Sequence, residues 1–109
     1  MNTSTVEKQT TLARRVKVTG DSLTVDLTDG RTISVPIAWY PRLAHGTAKE
    51  RNRCRLVGGG EGIHWPDLDE DISVENLLAG ARSGESQRSF KQWLQRRTAG
   101  ERRTTSAKR

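Results

Sequence analysis

Two histidines, one cysteine and a run of carboxylates are the side chains with which this chain could perform chemistry. His64 stands just before Asp67, Asp69, Glu70 and Asp71, a set of donors that would suit a hard cation or a metal-dependent hydrolase working through His64 and Asp67. The spacing argues against it: calcium loops end in a bidentate glutamate and carry a glycine at their sharp turn, and this acidic loop has neither. In a simpler reading, Asp71 and Ser73 start the next helix while the other carboxylates stay solvated or pair with arginines. A third reading makes the loop an acidic face for a basic partner, the chain's own tail included. Cys54 has no second thiol for a disulfide or a zinc site and reads as a small core residue. Catalysis by His45 or His64 would need a nucleophile or carboxylate within hydrogen-bond reach. No Gly-x-Ser-x-Gly elbow occurs, and Gly58-Gly59-Gly60 lacks the Lys-Ser/Thr of a phosphate loop. The expectation is no catalytic residue, no bound metal and no cofactor.

Binding chemistry is better represented. Between Glu85 and Arg97, Phe90, Trp93 and Leu94 recur at i, i+3 and i+4 among arginines, lysine and glutamines, which predicts an amphipathic basic helix. That stripe could anchor in a groove of a protein partner, or dock on the chain's own domain. Arg82, Arg88, Lys91, Arg96, Arg97, Arg102 and Arg103 could instead track phosphates with salt-dependent affinity. Trp39, Tyr40 and Trp65 lie near prolines. In a chain poor in apolar residues, large aromatics belong inside, so Trp39 is expected in the core, with Tyr40 or Arg42 as the surface contact.

The charge is distributed to match. Net charge is +6, yet from Arg82 onward nine Lys and Arg stand against two Asp and Glu, whereas the preceding residues carry ten against eleven. The whole excess lies in the last quarter, as expected of an arm that meets something acidic. With 109 residues, only 32% of them hydrophobic, the chain has material for one core and not for two. No apolar run is long enough to span a membrane and no secretion signal is apparent, so a cytoplasmic location is expected.

The elements that must position these residues follow from periodicity. Val16 and Val18, then Leu23, Val25 and Leu27, then Ile33, Val35 and Ile37 alternate as three strands, with Gly20-Asp21-Ser22 and Thr28-Asp29-Gly30-Arg31 as turns. Pro36 ends the third strand. Pro41 suits a first helical position, Thr47 and Glu50 have capping-box spacing, and Ser73 caps a short helix closed by Gly80. Arg55-Leu56-Val57 and Gly62-Ile63-His64-Trp65 form a hairpin expected to pair back onto the sheet. The predicted fold class is α+β: a small antiparallel sheet, a three-strand meander plus one hairpin, with short helices and a C-terminal amphipathic basic helix. Residues 1–13 form a flexible leader, 14–81 the domain, 82–99 the basic helix and 100–109 a disordered basic tail.

Three linked motifs, Leu27-Thr28-Asp29-Gly30-Arg31, Val35-Pro36-Ile37-Ala38-Trp39-Tyr40-Pro41-Arg42-Leu43 and the stretch from Gly62 to Val74, resemble the bacterial family called domain of unknown function 2442. The resemblance runs from about Val16 to Gly80. It departs at Gly46, where the family tends to have alanine, and at Cys54, where an aromatic is commoner. It implies a small α+β domain, sometimes with a helix-turn-helix segment, often encoded beside another small protein in toxin–antitoxin-like pairs. No catalytic residue is carried over with it. The expected function is a non-catalytic regulatory or protein-interaction module, antitoxin-like or accessory to a cognate small protein held by Phe90, Trp93, Leu94, Tyr40 and Arg42. The alternative is a nucleic-acid-binding regulator acting through the basic arm. The oligomeric state stays open.

Overall fold

The computed structural model describes residues 10–107, with side chains over 10–99. Strands β1 (Ala13–Val18), β2 (Ser22–Leu27) and β3 (Thr32–Pro36) form an antiparallel meander in the order β1-β2-β3. Its turn at Asp29-Gly30 works because Gly30 takes φ of +95°, which a Cβ would resist. Alternation carries through to packing: Leu23, Val25 and Leu27 are buried while the intervening residues face outward.

After Pro36 the chain makes one 3-10 turn over Ile37–Trp39 and enters two short helices, α1 (Pro41–His45) and α2 (Ala48–Asn52). Proline opens α1, and α2 begins with the anticipated capping box, Thr47 Oγ1 accepting from the Glu50 N–H while the Glu50 carboxylate accepts from Thr47 N–H. Arg51 reaches back to the Leu43 and Gly46 carbonyls, satisfying the end of α1. Gly46 is buried there, and a Cβ would lie 2.8 Å from a Leu68 methyl.

The second half differs from expectation in two respects. Strands β4 (Arg55–Val57), β5 (Gly62–Trp65) and β6 (Glu70–Ser73) make a separate antiparallel sheet in the order β4-β5-β6, instead of adding a hairpin to the first. The acidic stretch expected as a loop is a strand from Glu70 onward: Ile72 is buried opposite Ile63, so the Glu70–Ser73 segment alternates too. The acidic residues from Asp67 to Asp71 masked that period. Ser73 then caps α3 (Val74–Leu78), accepting from Asn76 N–H, and Gly80, with φ of +72°, follows it.

One core joins both sheets, with Leu23, Val25, Leu27, Leu43, Ile63, Trp65 and Leu68 nearly inaccessible. The sheets approach at Gly60, where a Cβ would sit 2.7 Å from the Ala13 carbonyl. The expected leader is partly engaged: Leu12 exchanges hydrogen bonds with Thr28, N–H to the Thr28 hydroxyl and carbonyl to the Thr28 N–H. Residues 1–9 of that leader lie outside the described residues. The last element, α4 (Gln87–Ala107), runs past the expected end at 99. Arg102 and Arg103 therefore stand on helical backbone, with side chains outside those described.

Candidate functional site

Helix α4 is the element on which the candidate site rests, and its docking decides what it can offer. Ser86 caps its start, the hydroxyl accepting from Ser89 N–H. The apolar stripe then turns inward: Trp93 is 7% exposed and joins the core, with Phe90 and Leu94 half-buried against it. Phe90 stacks on Trp93 with ring centres 5.7 Å apart and meets the His45 ring edge-on at 5.1 Å. The expectation that Phe90, Trp93 and Leu94 are free to anchor a partner is thus corrected. A core so short of apolar residues recruits the helix's own stripe to close it.

Two ion pairs fasten the helix, one near each end of the stripe. The Arg42 guanidinium forks onto Glu85, its Nε 2.9 Å from Oε1 and its Nη2 on Oε2, and also donates to the Asp69 carbonyl at 3.0 Å. Its side chain is 11% exposed and that of Glu85 12%, so water screens the pair little. Ser89 Oγ donates to the same carboxylate at 2.8 Å. Hydrogen bonding from Arg42 holds the Glu85 carboxyl below its usual range. In the reverse sense, Arg97 on α4 pairs with both Glu50 oxygens on α2, drawing the Glu50 pKa down to about 2. Both guanidinium groups lie over the Trp93 ring, each 5.2 Å from its centre.

These contacts reassign four further expectations. Tyr40, expected at the surface, is 3% exposed with its hydroxyl donating to the Ala81 carbonyl at 3.2 Å, and burial pushes its pKa up. Trp39, expected inside, is half-buried with the Arg82 guanidinium 5.1 Å over its ring. Arg42 is an internal tether instead of an outward contact. Arg97, expected to track phosphates, is held by Glu50.

The acidic residues are absorbed locally as well. Asp67 pairs with Arg53 at 2.8 Å, Asp69 faces Arg42 at 3.5 Å, and Asp71 meets His64 Nδ1 at 2.7 Å across the β5-β6 ladder. Glu70 borders a cleft of about 350 Å³ shared with Arg42, Ser73, Ser83 and Glu85. Burial raises its pKa, and Oε2 finds no hydrogen-bond partner. Among the described residues no group of three or more His, Cys, Asp or Glu could hold a metal ion, and no helix is long and apolar enough to cross a membrane.

What remains outward on α4 is cationic. Arg88, Lys91 and Arg96 are exposed, and none of them takes part in an ion pair among the described residues. Arg103 follows Arg96 by seven residues and Arg102 follows Lys91 by eleven, spacings that return near the same helical phase. Sequence reading missed Glu50 and Glu85 as the residues that set this orientation. Their partners lie more than forty positions away, beyond any local periodicity.

A family model described as protein of unknown function (DUF2442) matches residues 13–83, which stops short of Glu85 and α4. Among solved structures, a protein of unknown function from Rhodospirillum rubrum is similar with a TM-score of 0.62 and 25% identity, over 71% of this chain and 95% of that one. An uncharacterised protein from Chromobacterium violaceum shares the fold at a TM-score of 0.59 and 19% identity, over 75% of each chain. No curated protein matches the chain.

Proposed function

This chain belongs to the DUF2442 family of proteins of unknown function, and from its own side-chain geometry we propose that it is a non-catalytic module that binds a polyanion, nucleic acid in the first instance, through the outward face of α4. One observation carries this reading: the apolar stripe and Arg97 are turned inward, leaving Arg88, Lys91 and Arg96 exposed over the outward side of a docked helix, with no ion pair among the described residues. Exposed cations on the outward side of a helix suit phosphates, because they release condensed counterions when they meet the backbone. Titrating the full chain with duplex DNA over a range of salt is the test. Binding whose logarithmic affinity falls with the logarithm of salt, with a slope of about −3 or steeper, supports the reading. Binding that is absent, or indifferent to salt, overturns it.

A cognate protein partner is the second reading, and it is favoured by a different surface. Strand β4 is an edge of the second sheet and carries Leu56 and Val57, 40% and 36% exposed, so a partner strand could extend the sheet there. Substituting Leu56→Lys would abolish such a contact while leaving DNA binding intact.

A further inference from the structure

Resting on that binding reading, we infer that the ligand is the phosphate backbone of a double-stranded nucleic acid, gripped by a basic band that runs from β1 across α2 to α4. The band begins at the outer side of the first sheet. Arg15 and Lys17 are exposed on edge strand β1, past the irregularity between Ala13 and Arg15. Across the sheet their neighbours are hydroxyls, Thr24 bonded to Ser34 at 3.0 Å, and Asp26, whose carboxylate accepts from the Thr32 hydroxyl at 2.8 Å. No apolar side chain interrupts this end of the face.

Helix α2 bridges the two ends. It packs on β1, with Arg51 passing within 4.0 Å of where a Gly20 Cβ would lie, and its Glu50 holds Arg97 of α4. Lys49 is exposed on α2 between them. Six carboxylates are engaged elsewhere, Asp29 by Arg31, Glu50 by Arg97, Asp67 by Arg53, Asp69 and Glu85 by Arg42, and Asp71 by His64, while Asp26 stays beside Arg15 across the sheet. Arg15, Lys17, Lys49, Arg88, Lys91 and Arg96 take part in no ion pair among the described residues. These six cations face solvent.

The choice of duplex follows from the aromatic residues. Proteins that bind single strands stack bases on exposed rings. Here Tyr40, Trp65 and Trp93 are buried, Trp39 lies under Arg82, and Phe90 is packed between His45 and Trp93. Each described Trp, Tyr and Phe ring is thus buried or covered. A duplex hides its bases and presents phosphates, which is what cations and hydroxyls recognise.

The experiment is fluorescence anisotropy with the full chain and three probes: a DNA duplex of about 20 base pairs, the matching RNA duplex, and one DNA strand alone, between roughly 50 and 200 mM KCl. Either duplex should bind at least about tenfold more tightly than the single strand. Arg15→Ala/Lys17→Ala and Lys91→Ala/Arg96→Ala should each make the salt slope shallower by about 2. If the alanine pair on β1 melts early, Arg15→Gln/Lys17→Gln repeats the measurement with the side-chain stems kept. An unchanged slope in the β1 variant, alongside a flattened one in the α4 variant, overturns the band while the binding reading survives. A single strand bound as tightly as the duplexes overturns the duplex assignment alone. Absence of salt-sensitive binding to all three probes overturns both.

Discussion

The Arg42 guanidinium lies 5.2 Å from the centre of the Trp93 ring while its fork grips Glu85, so one side chain joins the helix after the first sheet to both the stripe and the start of α4. That arrangement turns a helix readable as a detachable arm into part of the folded body.

Trp93 is the test of that integration. Trp93→Ala removes a buried ring and two guanidinium contacts together, and should lower stability by about 3–5 kcal/mol in urea unfolding. Trp93→Phe keeps a ring and should cost less. An alanine variant as stable as the parent would mean that α4 contributes nothing to the fold.

Acid should loosen the same contacts. The Glu50 pKa is lowered from 4.5 to about 2 by Arg97, and Glu85 is lowered by Arg42. A depressed folded-state pKa contributes stability that is present above the unfolded value and is lost as pH falls through the folded one. Stability should therefore decline from about pH 4.5 toward pH 2, followed by tryptophan fluorescence. Arg97→Gln, which removes the charge opposite Glu50, should move the acid midpoint upward. No movement would show that the pair is uncoupled from folding.

Glycines 59 and 60 offer a paired comparison. Both have positive φ, but a Cβ at Gly59 meets open space whereas one at Gly60 meets the Ala13 carbonyl at 2.7 Å. Gly59→Ala should cost about 1 kcal/mol from backbone conformation alone. Gly60→Ala should cost about 2 kcal/mol or more, because the two sheets must also separate there. Equal losses in urea unfolding would contradict the close approach.

The meander, the Asp29-Gly30 turn, the capping box at Thr47 and the cap at Ser73 were legible in the sequence because each depends on neighbours within a few residues. The stripe of α4 was equally legible as a stripe. Its direction was not, since Arg42 finds Glu85 and Arg97 finds Glu50 across more than forty positions. Tyr40 and Trp39 exchanged their expected roles for the same reason: Arg82 and Ala81, which cover the ring of one and accept from the hydroxyl of the other, come from the far end of the domain. Strand β6 was hidden by Glu70 and Asp71, which obscure an alternation carried by Ile72.

The most direct measurement of the account is made on one variant, Arg88→Glu/Lys91→Glu/Arg96→Glu, compared with the parent for both duplex binding and thermal unfolding. An outward cationic face on a docked helix predicts that binding is lost while the melting temperature stays within about 2 °C, because exposed charges away from the stripe contribute little to stability. Retained binding, or loss of the fold with the charges reversed, would contradict it.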